Sequence, residues 1–291
     1  MTPHHHKMDA NMRLRKLADR TREQYLCCIE VFERHCGSCC DELGEDDVRG
    51  FLLRLHQLGR SPATLVVYRS ALVFMFAETL GRPEVMQTIP RPRMRTPPPR
   101  PPLTKEEAQA LLEAAVCQPY TYTFVSTLLA TGLRISEARN LRVEHIDSRS
   151  GMIHVLHGKG SKPRSVKLGD RHLRLLRRYW KVEGLSGSWM FPAQRLVAPG
   201  KVDPVRRWAD RPVSPDTVRR RMHALSRRAG MRRRVLPHDL RRTYATWLLE
   251  AGVDLRTVQV LLGHGSPNTT TRYTSVRPEL IRRTPSTLDM L

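Results

Sequence analysis

Six side chains in the C-terminal two thirds of the chain could act together on a phosphodiester. They lie on separate segments and comprise two arginines, one lysine, two histidines and one tyrosine: Arg134, Lys159, His238, Arg241, His264 and Tyr273. Guanidinium groups can bind non-bridging phosphate oxygens bidentately, where negative charge develops during in-line transfer. A phenol is a covalent nucleophile once a base or a positive site overcomes its pKa near ~10. Histidine is the common proton acceptor, so the set predicts phosphoryl transfer at a DNA phosphodiester.

Each of these residues also has a plain structural interpretation when it is taken alone. Arg134 and Glu137 are three apart, which is the spacing of a local helical ion pair. Lys159 stands between glycines, where a lysine is usually just exposed, and His264 follows a glycine that could end a helix. Tyr273 could belong to a core. The chemical interpretation therefore depends on the combination.

The segments that carry these residues are mostly helical. "YTFVSTLLATGLRISEARNL" predicts a buried helix that is interrupted near Thr131-Gly132 and resumes with Arg134. "MIHVLHGKGSKPRSVKL" alternates on both sides of "GKGSK", which predicts a hairpin with Lys159 in a glycine-rich turn. His238 and Arg241 share one face of a later helix, and glycines follow the last helices as C-caps. The predicted fold class is mainly α with one small antiparallel β-sheet.

The proline-rich segment "RPRMRTPPPRPP" predicts a stiff boundary between two domains. Before it, apolar stripes at helical spacing and a Ser61-Pro62 helix start predict a module of about four helices. The opening "MTPHHHKM" has the character of a tag or a natural leader, so no element is predicted there. The predicted division is a disordered or tag-like 1–11, a helical domain 12–90, a linker 91–102, a catalytic domain 103–276 and a tail 277–291.

The charge of the chain predicts a polyanionic partner. Fifty Lys and Arg residues against 28 Asp and Glu give a formal charge of +22, and nucleic acid is the simplest partner for it. An anionic membrane is the rival, but no apolar run approaches the ~20 residues of a spanning helix, and no signal peptide is apparent. One basic stretch has the density of a phosphate-binding surface. Its arginines are Arg219, Arg220, Arg221, Arg227, Arg228, Arg232, Arg233 and Arg234.

Five of the six cysteines crowd into "CCIEVFERHCGSCC". Cys36 and Cys39 have the spacing of a metal knuckle beside His35, yet no second pair of ligands follows. Cys28 and Phe32 also fit the inner face of a helix, which favours ordinary, partly buried residues. The chain is expected in a reducing bacterial cytoplasm, associated with the nucleoid, where thiols stay free.

Four motifs in chain order resemble those of the tyrosine recombinases, the phage integrase family. "ATGLRISEARNLR" is similar to the segment of the first catalytic arginine, here Arg134 with Glu137 as its acidic companion. "HGKGSKPRSVKL" is similar to the catalytic-lysine hairpin, here Lys159, with Lys162 as the rival. "LPHDLRRTYATWLLEAG" resembles the H-x-x-R box that holds His238 and Arg241. "VQVLLGHGSPNTTTRYTSV" resembles the box that holds His264 and Tyr273.

The resemblance implies a helical, SAM-like core-binding domain and a recombinase catalytic domain that close around duplex DNA as a C-shaped clamp. Tyr273 would attack the scissile phosphate, Arg134 and Arg241 would hold its oxygens with His264, His238 would accept the tyrosine proton, and Lys159 would protonate the leaving oxygen. No metal or other cofactor is implied. Recombination sites in double-stranded DNA would be the partner, in a homo-tetramer that passes through a Holliday junction. The tail would dock onto a neighbouring subunit through Leu280 and Ile281.

Three alternatives remain open at this point. A metal-dependent nuclease needs converging carboxylates, and the chain offers no clear set. A type IB topoisomerase uses similar tyrosine chemistry on one duplex, and a catalytically silent relative would only bind DNA. Among subfamilies, integron integrases, phage integrases, transposon recombinases and chromosome-dimer resolvases all remain possible.

Overall fold

A computed structural model describes residues 2–93, 100–156, 163–198, 200–202, 207–263 and 284–291. The chain divides into two compact units, Met1–Pro98 and Pro99–Leu291. No helix in the described ranges is long and apolar enough to cross a membrane.

The first unit is entirely helical. Its elements are α1 (Pro3–Leu14), α2 (Asp19–Cys36), α3 (Glu45–Gln57), α4 (Pro62–Val73), a π-helical continuation (Phe74–Thr79) and α5 (Glu84–Gln87). The predicted start of α4 is confirmed, because Ser61 Oγ accepts a hydrogen bond from the Thr64 amide at 3.2 Å and Pro62 is the first helical residue. Phe32 contacts the rings of Phe51 and Phe76 edge-on at 5.1 and 6.2 Å, at the centre of the core.

The prediction that residues 1–11 are disordered or tag-like is wrong. Residues 3–14 form α1, and His5, Met8 and Met12 are buried on its inner face. His5 Nε2 lies 3.2 Å from Glu33 Oε2 on α2. The histidine run resembles a tag in composition, but every third or fourth residue of the segment contributes to the core. The helical module therefore starts at Pro3 and includes five α-helices where about four were predicted.

The cysteine cluster is divided between the core and the surface. Cys28 and Cys40 are buried, and Cys27 and Cys39 are exposed. Burial raises the pKa of the Cys28 thiol to about 11, which disfavours the thiolate that binds metals. In the described ranges no group of three or more His, Cys, Asp or Glu side chains is placed to hold a metal ion. Cys28 and Phe32 do share the inner face of α2, as predicted.

The second unit is built around a buried helix. Its helices are α6 (Lys105–Glu113), α7 (Pro119–Thr131), α8 (Ile135–Arg139), a 3-10 turn (Val143–His145), α9 (Asp170–Val182), α10 (Pro215–Arg228), α11 (Pro237–Glu250) and α12 (Leu255–Leu262). The predicted capping box at α6 is confirmed: Thr104 Oγ1 accepts from the Glu107 amide at 3.1 Å, and Glu107 Oε2 accepts from the Thr104 amide at 3.0 Å. Both α9 and α11 pack against α7, so α7 joins the two sides of the core.

Seven short strands form three antiparallel sheets in the described ranges. They are β1 (Ile146–Asp147), β2 (Met152–Val155), β3 (Arg164–Lys167), β4 (Pro192–Gln194), β5 (Leu196–Ala198), β6 (Lys201–Val202) and β7 (Trp208–Pro212). The predicted hairpin is confirmed as β2–β3, with Ile153 opposite Val166. The prediction of a single sheet is wrong, because β4 pairs with β7 and β5 with β6. β4 and β7 contain prolines, and β5 and β6 are only three and two residues long, so neither pair shows a clear alternation in the sequence.

The described end of the tail packs on its own unit, which corrects the expectation that the whole of 277–291 docks onto a neighbouring subunit. Thr287 Oγ1 donates a hydrogen bond to the Leu129 carbonyl at 2.6 Å, and Arg171 Nη1 donates to the Leu288 carbonyl at 2.7 Å. Both Thr287 and Leu288 are buried. The proposed apolar anchors Leu280 and Ile281 lie outside the described residues. Residues 284–291 thus belong to the fold of the second unit.

Candidate functional site

A buried carboxylate organises the candidate site. Helix α7 ends at Gly132, whose φ of +60° suits glycine, and the chain turns to place Arg134 as the N-cap of α8. Glu137 Oε2 accepts from the Arg134 amide at 2.7 Å, and Glu137 Oε1 accepts from Arg134 Nη1 at 2.8 Å. The predicted Arg134–Glu137 pair is therefore present. It serves as both a helix cap and an ion pair.

A second arginine contacts the same carboxylate from the opposite side. Arg164, the first residue of β3, donates to both Glu137 oxygens, at 2.8 Å from Nη1 and 2.7 Å from Nη2. Burial alone would raise the pKa of Glu137, but the hydrogen bonds from Arg164 and the Arg134 amide outweigh it and lower the pKa to about 2. Glu137 is therefore ionised at every pH at which the protein would function.

Arg241 lies beside this group on α11. Only 4% of its side chain is exposed, and Nη1 is 4.0 Å from Glu137 Oε2. Its Nη1 donates to the Gly132 carbonyl at 2.7 Å and its Nη2 to the Leu262 carbonyl at 2.5 Å. Burial, and then the neighbouring charges of Arg134 and Arg164, lower the pKa of Arg241 to about 10. It remains a cation at neutral pH.

The site carries an excess of positive charge. Three guanidinium groups surround one carboxylate, so a net positive charge remains among Arg134, Arg164 and Arg241. Within the described residues, Arg134 and Arg241 each donate from two nitrogens to protein acceptors, and a guanidinium has five N–H donors. Both therefore have N–H groups that no described residue uses. An anion that bound there would relieve the repulsion that lowers the pKa of Arg241.

His238 lies in the first turn of α11, three residues before Arg241, and is exposed. Partial desolvation, followed by the charges of Arg241 and Arg242, lowers the pKa of its imidazole. The ring is consequently neutral at neutral pH and can accept a proton.

The basic stretch forms an amphipathic helix and the loop after it. Val218, Met222 and Leu225 are the buried side of α10. Six of the eight predicted DNA-contacting arginines are exposed, namely Arg219, Arg220, Arg227, Arg228, Arg232 and Arg234. Arg219 also pairs with Asp216 in the first turn.

The other two arginines of this set make contacts inside their own unit. Arg221 lies 4.2 Å above the ring of Tyr120 and donates to Gln194 Oε1 at 2.9 Å. Arg233 donates to the Pro101 carbonyl at 2.7 Å. Both residues are only half-buried, and their guanidiniums already have these partners, so neither is counted in the exposed surface proposed below. Their contact with DNA stays a prediction.

Known proteins share both units of this chain. Residues 101–279 match the phage integrase family, and residues 5–84 match the phage integrase N-terminal SAM-like domain. The tyrosine recombinase XerA of Pyrococcus furiosus is 33% identical over 79% of this chain and 76% of its own length.

The chain belongs to the phage integrase family, the tyrosine recombinases.

Two further comparisons extend over nearly the whole chain. A protein of Sinorhizobium fredii that bears the name integrase/recombinase y4qK is 34% identical over all of this chain and 90% of its own length. The structure of a lambda integrase (75–356) dimer bound to a COC' core site covers 95% of this chain and all of that one, with a TM-score of 0.70 and 19% identity. This likeness shows a shared fold: mainly helical, with small antiparallel sheets. The enzyme is a tyrosine-type site-specific recombinase.

The described part of this tyrosine recombinase brings together Arg134, Glu137 and Arg241, with His238 three residues before Arg241 on α11. The remaining predicted residues lie outside the described residues: Lys159, its rival Lys162, His264 and Tyr273. The elements that flank them in the sequence are described: β2 precedes and β3 follows the two lysines, and Gly263, the C-cap of α12, directly precedes His264.

Sequence reasoning missed Arg164. Only 6% of its side chain is exposed, and it makes the two-pronged contact with Glu137. A signal was available in the strand pattern: Arg164 and the buried Val166 are two apart on β3 and therefore share a face. A cation on the inner face of a strand indicates a buried anion nearby.

Proposed function

We propose that this enzyme cuts and rejoins duplex DNA at specific sites through a 3′-phosphotyrosyl intermediate. The observation that supports this most strongly is the pair Arg134 and Arg241, two guanidiniums held beside one carboxylate with N–H donors that no described residue uses. Such a pair fits the non-bridging oxygens of a phosphodiester, where charge grows in the transition state. Preorganised donors in a partly buried site stabilise that charge better than water does.

The step proposed for cleavage is a transesterification. The Tyr273 phenolic oxygen attacks phosphorus, a Tyr–O–P bond forms, and the bond from phosphorus to the 5′ oxygen breaks. The phenolic proton passes to neutral His238, Lys159 protonates the leaving 5′ oxygen, and His264 assists the arginines. Attack by a 5′ hydroxyl of a partner duplex reverses the step.

The exchange conserves bond energy, since one phosphate ester replaces another. Rejoining therefore needs no ATP in this scheme. Arg134 and Arg241 would supply the positive charge that metal ions supply to many other phosphoryl transferases.

We further propose that four subunits act on two DNA sites through a Holliday junction. The support is indirect: a lambda integrase tetramer bound to a Holliday junction shares the fold, with a TM-score of 0.70 over 94% of this chain. Residues 12–90, extended by α1, would form the core-DNA-binding domain and 103–276 the catalytic domain. A cytoplasmic, nucleoid-associated location would follow from the DNA substrate.

The experiment that tests the function is covalent trapping on DNA. The protein is incubated with fragmented duplex DNA that carries nicks, so that short cleaved strands diffuse away and the intermediate accumulates. Trapped DNA is then sequenced, and the recovered site is placed twice on a plasmid. Exchange between the two copies would support recombination. Relaxation of a supercoil without exchange would indicate a topoisomerase, and binding without any covalent product would indicate a silent relative.

The exposed arginines of α10 should dominate the salt dependence of DNA binding. Replacement of Arg219, Arg220, Arg227 and Arg228 by Ala should flatten the slope of log affinity against log salt by about 1 for each phosphate that the variant no longer neutralises. Fluorescence anisotropy with a labelled duplex at several salt concentrations measures the slope.

The matched control removes the same charge elsewhere in the unit. Arg174, Arg177, Arg178 and Lys181 are exposed on α9, and their Ala variant should keep a steeper slope than the α10 variant. Equal slopes for the two variants would mean that net charge alone, and not the α10 surface, attracts DNA.

A further inference from the structure

Three arginines from three different elements meet at the C-terminal end of α12. Arg164 Nε donates to the Leu261 carbonyl at 2.8 Å, Arg241 Nη2 to that of Leu262, and Arg134 Nη2 to that of Gly263 at 3.0 Å. The last carbonyls of a helix lack partners within the helix, and cations are stabilising there. The guanidiniums therefore fix the point from which the chain continues to His264.

Within the part of the chain that the structure describes, Arg164 is the one of the three that donates from every side-chain nitrogen to a protein acceptor. Its Nε bonds α12, and its Nη1 and Nη2 bond the two oxygens of Glu137. With 6% of its side chain exposed, it is poorly placed to bind DNA. Its contacts instead join β3, α8 and α12, the elements that surround the two proposed phosphate-binding arginines.

We infer that Arg164 is a positioning residue: it holds Glu137 and the end of α12 so that Arg134 and Arg241 face the scissile phosphate at the correct spacing. The inference rests on the proposed function. Without Arg164, the cationic neighbours of Glu137 among the described residues would be Arg134 and the more distant Arg241. The carboxylate would then draw those guanidiniums toward itself and away from phosphate, because a buried charge must be compensated.

Gly263 has no side chain, and this leaves room for the guanidinium of Arg164. Its φ is +64°, and a Cβ at this position would lie 2.9 Å from Arg164 Cδ and 3.2 Å from its Nε and Nη1. A methyl group would therefore push the guanidinium away from Leu261 and Glu137. Gly230, after α10, has almost the same φ of +63° but no atom within 4 Å of such a Cβ. The two glycines differ in contact and not in backbone strain.

The first test compares Arg164→Lys with Arg174→Lys, an exposed residue of α9. A lysine keeps the charge but cannot reach one carbonyl and two carboxylate oxygens together. We expect the single-turnover rate of covalent complex formation to fall about 100-fold, the loss typical of an ~1 Å displacement, while the duplex Kd changes little; the thermal midpoint shows whether the variant is folded at the assay temperature. Arg174→Lys should match the wild type in all three. An unchanged rate in Arg164→Lys, or a loss of affinity equal to the loss of rate, would overturn the inference.

The second test keeps Arg164 and displaces it, in case the lysine variant does not fold. Gly263→Ala should lose cleavage rate with its affinity retained, and Gly230→Ala should not. If the two alanine variants cleave DNA at equal rates while the wild type is fully active, the inference is overturned. A wild type that forms no covalent complex with any trapped DNA would overturn the proposed function as well, so the two failures are distinguishable.

Discussion

Replacement of Tyr273 by Phe should abolish covalent capture of DNA while leaving the Kd for the same duplex unchanged. The phenylalanine ring keeps the shape of the side chain but has no oxygen to bond phosphorus. Binding should persist because the basic surface of α10 and the pair Arg134 and Arg241 are unaffected. A denaturing gel of the nicked-substrate reaction measures the covalent product, and anisotropy measures the Kd. Tyr122→Phe on α7, a partly buried tyrosine, should give wild-type yields.

A normal covalent yield from Tyr273→Phe would mean that another residue is the nucleophile. The chain has seven tyrosines, and burial disqualifies three of them. Desolvation raises the pKa values of Tyr120, Tyr179 and Tyr244, which makes each phenol harder to ionise and less accessible to DNA. Peptide mapping of the DNA-linked residue would then decide among those that remain.

The features predicted correctly from the sequence are those whose interacting residues lie close together in the chain. The Thr104–Glu107 capping box and the Arg134–Glu137 pair span three residues each, and both form as predicted. The β2–β3 hairpin was likewise visible as alternation around a glycine-rich turn. In each of these cases the partners are close in sequence, so the local pattern already contains the contact.

Contacts between distant segments could not be predicted in the same way. Arg164 is 27 residues from Glu137, and Arg221 reaches Tyr120 only because α10 packs near the start of α7. The basic stretch of the sequence does not indicate which of its arginines contacts the rest of its own unit. Burial of the histidine-rich α1 was hidden for another reason, since its composition imitates a purification tag.

Arg134 and Arg241 should be needed for the rate of cleavage more than for DNA affinity. Arg241→Lys should slow single-turnover cleavage by about 100- to 1000-fold, the range found when one preorganised transition-state donor is removed. A lysine cannot serve the carbonyls of Gly132 and Leu262 and also meet two phosphate oxygens. Arg178→Lys, on the exposed face of α9, provides a control of the same chemical change.

The Arg241→Lys variant tests the proposed role because its loss of cleavage rate can be compared with its loss of DNA affinity. A ground-state phosphate diester carries one negative charge, and many exposed arginines can attract it, whereas the extra charge of the transition state develops only between Arg134 and Arg241 in our proposal. The Kd of Arg241→Lys should therefore stay within a few fold of the wild type. Folding must be checked in parallel, since the side chain also satisfies two buried carbonyls. If a well-folded variant loses affinity as much as rate, Arg241 contributes uniform binding, and the catalytic role assigned to it is wrong.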